Sequence, residues 1–143
     1  MPDDFDLTDF LPYVLNRASE AAGHEFQAVY KERYGMLRSE WRVLFHLGRF
    51  GDLTSREVCD RSGLHKTKVS RAVKALEQKR YLTRTAVETD RRQETLRLTA
   101  TGQSVYRDLK AKAQDFDAAM ASRVPAEDLV VLRRCLKEMS GLS

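Results

Sequence analysis

Thr67, Lys68, Ser70, Arg71 and Lys74 are spaced to share one side of a helix, opposite Val69, Ala72, Val73 and Leu76. Hydroxyls and long cations set side by side suit one kind of chemistry, the reading of duplex DNA. A helix in the major groove meets donor and acceptor patterns that distinguish every base pair. The planar fork of Arg71 suits the two acceptors of a guanine, and Lys68, Lys74, Thr67 and Ser70 suit either a base edge or a phosphate. Ser55 and Arg56, at the start of the preceding helix, suit a phosphate held at the positive end of that helix. A second charged group, Asp90-Arg91-Arg92, follows a Thr-rich stretch. Arginine on a thin loop can enter the minor groove, where negative potential concentrates. Asp90 beside two arginines makes sense as an acceptor inside the hairpin that fixes the direction of one of them.

The plainer alternatives are a solvated amphipathic helix and an ordinary charged turn. The surrounding elements weigh against both. Apolar residues recur at helical spacing over 7–33, with Thr8 as a start signal and Pro12 suited to the first turn. A helix this long exceeds one wall of a small core, so part of its stripe is expected to meet another subunit. Ser39 is expected to cap a second helix from Glu40 to Gly48, closed by Gly48 to Gly51. Thr54 and Glu57 form a capping box for a third, which turns Val58 and Cys59 inward and ends at Gly63. The fourth runs from about Lys66 to Lys79. Strands are expected over Leu82–Glu88 and Gln93–Leu98, joined by a turn at Thr89–Arg92. Thr99 or Thr101 then caps a long helix to about Met120, and Pro125 starts a last one. A mostly α chain with a small β-hairpin wing follows: a winged helix-turn-helix with long terminal helices.

Charge and composition agree. The chain has 143 residues and a net charge of +4, yet its basic residues cluster. Between His65 and Arg84 lie Lys66, Lys68, Arg71, Lys74, Lys79, Arg80 and Arg84 against a single acid, Glu77. Cys59 and Cys135 have neither CxxC spacing nor histidine partners, so neither a disulfide framework nor a zinc site is expected. No apolar run approaches the roughly 20 residues of a membrane span, and no signal-peptide layout opens the chain. The expected compartment is the cytoplasm. His24, His46 and His65 are scattered, and no nucleophile–base pair or paired acids appear at a catalytic spacing. An enzyme is therefore not expected, nor a metal or other cofactor.

Ser39-Glu40-Trp41-Arg42-Val43-Leu44, Leu53-Thr54, Lys68-Val69-Ser70-Arg71, Leu76-Glu77, Asp90-Arg91-Arg92 and Leu98-Thr99-x-x-Gly102 together resemble the multiple antibiotic resistance regulator (MarR) family. The resemblance covers nearly the whole chain. It implies a homodimeric winged-helix transcriptional regulator bound to a pseudo-palindromic operator, most often a repressor released by a small phenolic or aromatic acid. It divides this single domain into dimerisation helices at 7–35 and 100–143 and a DNA-binding lobe at 36–99. It makes Arg92 the minor-groove residue, Asp90 its brace and Arg91 a neighbour of the phosphates. Two departures stand out. Arg80-Tyr81 replaces the glycine usual after the recognition helix, so that helix must end without a cheap left-handed residue. The first helix also lacks the reactive cysteine of the family's peroxide and thiol sensors.

The resemblance places an effector pocket between the dimerisation helices and the DNA-binding lobe. Tyr13, Arg17 and His24 fall within roughly 40° of one another on one edge of the first helix. An arginine beside a phenol and an imidazole suits a carboxylate on an aromatic ring. Trp41 and Arg42, with Phe45 and His46, are candidates for the opposing wall; the competing reading is a dimer-interface edge or a solvated flank. Two other functions compete with the leading one: a winged-helix module that binds protein, and a regulator switched by oxidation of Cys59 or Cys135.

Overall fold

The computed structural model describes residues 3–142. A 3-10 turn at Leu7–Asp9 precedes α1, Leu11–Tyr34. The single helix expected from residue 7 is therefore interrupted. Thr8 does not start it: Asp6 caps the 3-10 turn, accepting from the Thr8 hydroxyl at 2.6 Å and the Thr8 backbone N–H at 2.9 Å. Those bonds, the side-chain one first, hold the Asp6 carboxyl below its ordinary range. Pro12 sits in the first turn of α1, where its missing N–H costs nothing.

α2 spans Arg38–Phe50. Leu37, not Ser39, is its N-cap, because the Glu40 carboxylate reaches back to accept from the Leu37 N–H at 3.1 Å. Half a capping box thus starts the helix without a hydroxyl, and it leaves Glu40 buried but satisfied. Gly48 does not close α2. It lies within the helix under the Tyr106 ring, where a Cβ would come within 2.4 Å of the ring. Gly51 follows the last turn instead.

α3, Ser55–Ser62, begins on the expected Thr54–Glu57 capping box and ends at Gly63, whose φ is +72°. α4 spans Lys66–Gln78. Two strands form the wing, β2 at Leu82–Val87 and β3 at Asp90–Leu98. A short β1, Leu53–Thr54, adds a third, unexpected strand and gives the antiparallel order β1-β3-β2. Its register pairs Leu53 with Leu96, while Leu82 pairs with Leu98 across β2 and β3. Two residues are too few for alternation to reveal a strand. The buried faces of α2, α3 and α4 meet those leucines: Val43, Leu44, Leu47, Val58, Val69, Val73, Leu76, Leu82 and Leu96 are almost wholly excluded from solvent.

α5 spans Ala100–Ala121, with the Thr99 hydroxyl accepting from the Gly102 N–H at 3.0 Å. The chain divides into two compact units within this helix, at Leu109 and Lys110. In the second unit α6, Ala126–Ser140, follows Pro125, and Arg133 pairs with Asp117 at 2.8 Å. α6 buries none of its residues; Val130 is 69% exposed and Met139 59%.

Candidate nucleic-acid interface and effector cleft

The geometry of the interface begins at its caps. Thr54 accepts from the Glu57 N–H at 3.2 Å, and the Glu57 carboxylate accepts from the Thr54 N–H at 3.1 Å. This box places Ser55, half-buried, and Arg56, exposed, in the first turn of α3. After Gly63, the His65 ring caps α4, its Nδ1 accepting from the Thr67 N–H at 3.2 Å. In the sequence His65 is one of three scattered histidines. Its position just before a helix, where Ser, Thr, Asp or Asn is usual, was the available signal.

Thr67, Lys68, Ser70, Arg71 and Lys74 are all exposed, while Val69, Ala72, Val73 and Leu76 are buried. None of those outward side chains is held by an ion pair among the described residues. α4 therefore presents one polar, basic face with free donors, fixed from behind by the core.

The C-terminal end of α4 differs. The Tyr81 N–H donates to the Leu76 carbonyl at 2.9 Å, and the Arg80 N–H to the Glu77 carbonyl at 2.9 Å. This is a Schellman ending, which normally calls for glycine at the position Arg80 fills. Arg80 takes φ +63°, the sole non-glycine residue with positive φ among those described. A left-handed residue thus exists after all, at the steric cost a Cβ carries there. The Thr99 hydroxyl donates to the Arg80 carbonyl at 2.7 Å, and the Thr99 N–H to the Tyr81 carbonyl at 3.0 Å. Gly102 permits that closure, since a Cβ there would lie 2.0 Å from the Tyr81 oxygen. Lys79 and Arg84, counted in the basic cluster, are engaged within the protein. Lys79 Nζ donates to the Tyr34 and Gly35 carbonyls, and Arg84 pairs with Glu77 at 3.0 Å and Glu94 at 3.5 Å.

In the wing the turn is Glu88–Thr89 rather than Thr89–Arg92, and β3 already begins at Asp90. An irregularity between Ala86 and Val87 brings Val87 opposite Asp90. Asp90 Oδ1 accepts from the Arg92 backbone N–H at 3.0 Å. The acid thus fixes the backbone of Arg92, leaving both arginine side chains exposed. At the base of the wing Arg97 donates twice to Asp52 Oδ2, at 2.8 and 2.7 Å.

A separate cleft of about 510 Å³ opens on α1, lined by Arg17, Glu20, Ala21, Gly23, His24, Gln27, Tyr30 and Arg38. Of the expected effector residues, Arg17 and His24 lie in its wall. Tyr13 does not; its hydroxyl accepts from Arg17 at 3.0 Å and so orients the guanidinium. Trp41 and Arg42 also lie outside the lining. The Trp41 ring packs on Phe26, Tyr30 and Phe45, and its Nε1 is buried without a hydrogen-bond partner. Burial, and then the charge of Arg38, lowers the Arg42 pKa from its ordinary value, an effect partly offset by Tyr30. His46 is turned away, its Nδ1–H donating to the Arg42 carbonyl at 2.6 Å. Tyr30 and Arg38 join the lining without a signal in the sequence. Tyr30 read as core, and Arg38 preceded the assumed start of its helix.

Cys59 and Cys135 are free, half-buried thiols. No cluster of three His, Cys, Asp or Glu side chains that could hold a metal occurs among the described residues. No helix there is long and apolar enough to cross a membrane.

A short helix, a tight turn, a helix with an exposed basic face and a β-hairpin after it define a winged helix-turn-helix protein. The family model described as MarR family matches residues 34–93, which include α2 to α4 and most of the wing. The HTH-type transcriptional regulator YwoH of Bacillus subtilis is 27% identical over 97 residues, covering 68% of this chain and 70% of YwoH. Among solved structures, Bordetella bronchiseptica BpsR, whose DNA binding is regulated by 6-hydroxynicotinic acid, superposes with a TM-score of 0.87 at 17% identity, covering 96% of this chain and 98% of its own. PcaV of Streptomyces coelicolor, solved with its natural ligand, gives a TM-score of 0.84 at 21% identity and 98% coverage of both chains. At such identities the likeness speaks for the fold.

Proposed function

We propose that this chain acts in the cytoplasm as a homodimer that binds a pseudo-palindromic site in duplex DNA and represses transcription until a small aromatic acid binds it. One observation carries the DNA reading: the outward face of α4 holds hydroxyls and unpaired cations over its first two turns, while its opposite face is fully buried. Such a helix has no further protein surface to satisfy, and its donors match base edges and phosphates. Arg71 is assigned to a guanine and Arg92 to the minor groove. Lys68, Lys74, Ser55, Arg56 and Arg91 are assigned to the backbone. Two such helices, one per subunit, would read half-sites about 10 base pairs apart. The exposed apolar side chains of α6, among them Val130, Leu136 and Met139, and those opening α1, Phe10, Leu11 and Val14, support a second copy as the partner that covers them.

The cleft supports the effector half of the reading. Arg17 and Arg38 offer guanidinium groups to a carboxylate, and Tyr30, His24 and Gln27 offer apolar surface edged with polar atoms. The relative regulated by 6-hydroxynicotinic acid responds to a ligand of this chemistry.

The test is selection of bound fragments from genomic DNA, followed by mobility shifts in moderate salt. An enriched palindromic motif, released by some members of a panel of hydroxylated aromatic acids, is the expected result. Arg17→Ala and Arg38→Ala should abolish release while leaving DNA affinity intact. Failure of the chain to retain any motif removes the DNA reading; unchanged release in both variants removes the cleft.

A further inference from the structure

Lys79 follows the last turn of α4, yet it does not share the outward face of the other lysines. Its half-buried side chain crosses to the C-terminal end of α1, where Nζ donates to the Tyr34 carbonyl at 2.9 Å and to the Gly35 carbonyl at 3.0 Å. The end of a helix leaves carbonyls without partners and carries partial negative charge, so an ammonium there meets both needs. The same turn of α1 is gripped from α5. The Tyr34 hydroxyl donates to Asp108, and Arg33 donates to the two oxygens of that carboxylate at 2.6 and 3.3 Å. The Tyr34 ring also meets Tyr81 edge-on at 6.5 Å, and Tyr81 is the residue on which α5 closes through Thr99 and Gly102. The ends of α1 and α4 and the first turns of α5 thus converge on one junction, with Lys79 as the tie from α4.

We propose that Lys79 is a positioning residue and not a phosphate contact: it fixes the orientation of the recognition helix by anchoring its C-terminal end to α1. The proposal rests on the DNA-binding reading but makes a separate claim about one residue that sequence alone counts with the DNA-facing cations. A phosphate lysine and a positioning lysine differ in salt dependence. Each phosphate contact contributes a counterion, so its loss lowers the salt slope by about one; loss of a protein-internal tie leaves the slope unchanged. They differ also in coupling. A positioning lysine acts on the same end of α1 that the Tyr34 hydroxyl ties to Asp108, so the two effects overlap, whereas a phosphate lysine adds independently.

The experiment measures operator binding across a salt series for the wild type, Lys79→Gln, Tyr34→Phe and the double variant, with active dimer counted by stoichiometric titration so that misfolded protein does not enter the constants. The expected result is about tenfold weaker binding for Lys79→Gln at an unchanged salt slope, with a double variant weaker by less than the product of the single effects. A slope lowered by about one, additive effects, or unchanged affinity would overturn the proposal. Hydrogen exchange gives a readout that needs no DNA: the amides of Gly35, Met36, Arg80 and Tyr81 should exchange faster in Lys79→Gln, and unchanged exchange there overturns the tie. If the wild type retains no DNA motif, the DNA reading falls by itself, and exchange still decides the junction.

Discussion

The two ends of α4 carry similar charge and spend it differently. From the N-terminal end to just past the middle, Lys68, Arg71 and Lys74 face solvent with no ion pair among the described residues. At the C-terminal end and just beyond, Lys79 binds two carbonyls of α1, Arg84 lies between two glutamates, and Arg80 is held in a left-handed turn. Cations at one end have no ion-pair partner among the described residues; at the other, Lys79 and Arg84 are engaged within the protein. A cluster of basic residues in a sequence therefore overstates the binding surface. What separates the two kinds is whether a neighbouring element brings an acceptor within reach.

Substitutions at the two ends should separate accordingly. The largest effect is expected for Arg71→Ala, which should cost about 1–3 kcal/mol on the cognate site and far less on random duplex, as measured by competition titration. Equal losses on both DNAs would move Arg71 to the phosphates and blur the distinction between reading and holding. Lys68→Gln and Lys74→Gln should weaken cognate and random DNA alike and lower the salt slope by about one each; a flat response would mean that the free end is only solvated. At the other end Arg80→Gly should raise folding stability by about 0.5–1 kcal/mol, because relief of the left-handed side chain outweighs the added freedom of the unfolded chain. Thermal melting checks this, and a lower Tm would show that the Arg80 side chain holds more than its backbone geometry suggests. The smallest effect belongs to Arg84→Gln. Its pairs are partly exposed, so stability should change by no more than about 0.5 kcal/mol and the salt slope not at all.

The same contrast explains what was legible in the sequence. α4 was readable because apolar and polar positions alternate at helical spacing and because its back face is completed by residues of the same lobe. The capping box at Thr54 and Glu57 and the cap at Thr99 were readable because hydroxyls and acids at fixed offsets do local work. The start of α2 was not: Glu40 caps the helix from inside, so the nearest hydroxyl, Ser39, misled. The short β1 is defined by its pairing with β3 and carries no pattern of its own. The engagements of Lys79 and Arg84 depend on contacts between different elements, which no local pattern encodes. Asp90 reads as an acceptor inside the hairpin, and its partner there is the Arg92 backbone N–H.

The most direct test of the account is the motif that the wild type and Arg71→Ala each select from genomic DNA. The expected result is two half-sites about 10 base pairs apart, each with a guanine at one position, and a variant that keeps the spacing but loses preference at that guanine in both halves. Recovery of the same motif with undiminished preference, or of no motif by the wild type, would contradict the claim that the free end of α4 reads the bases.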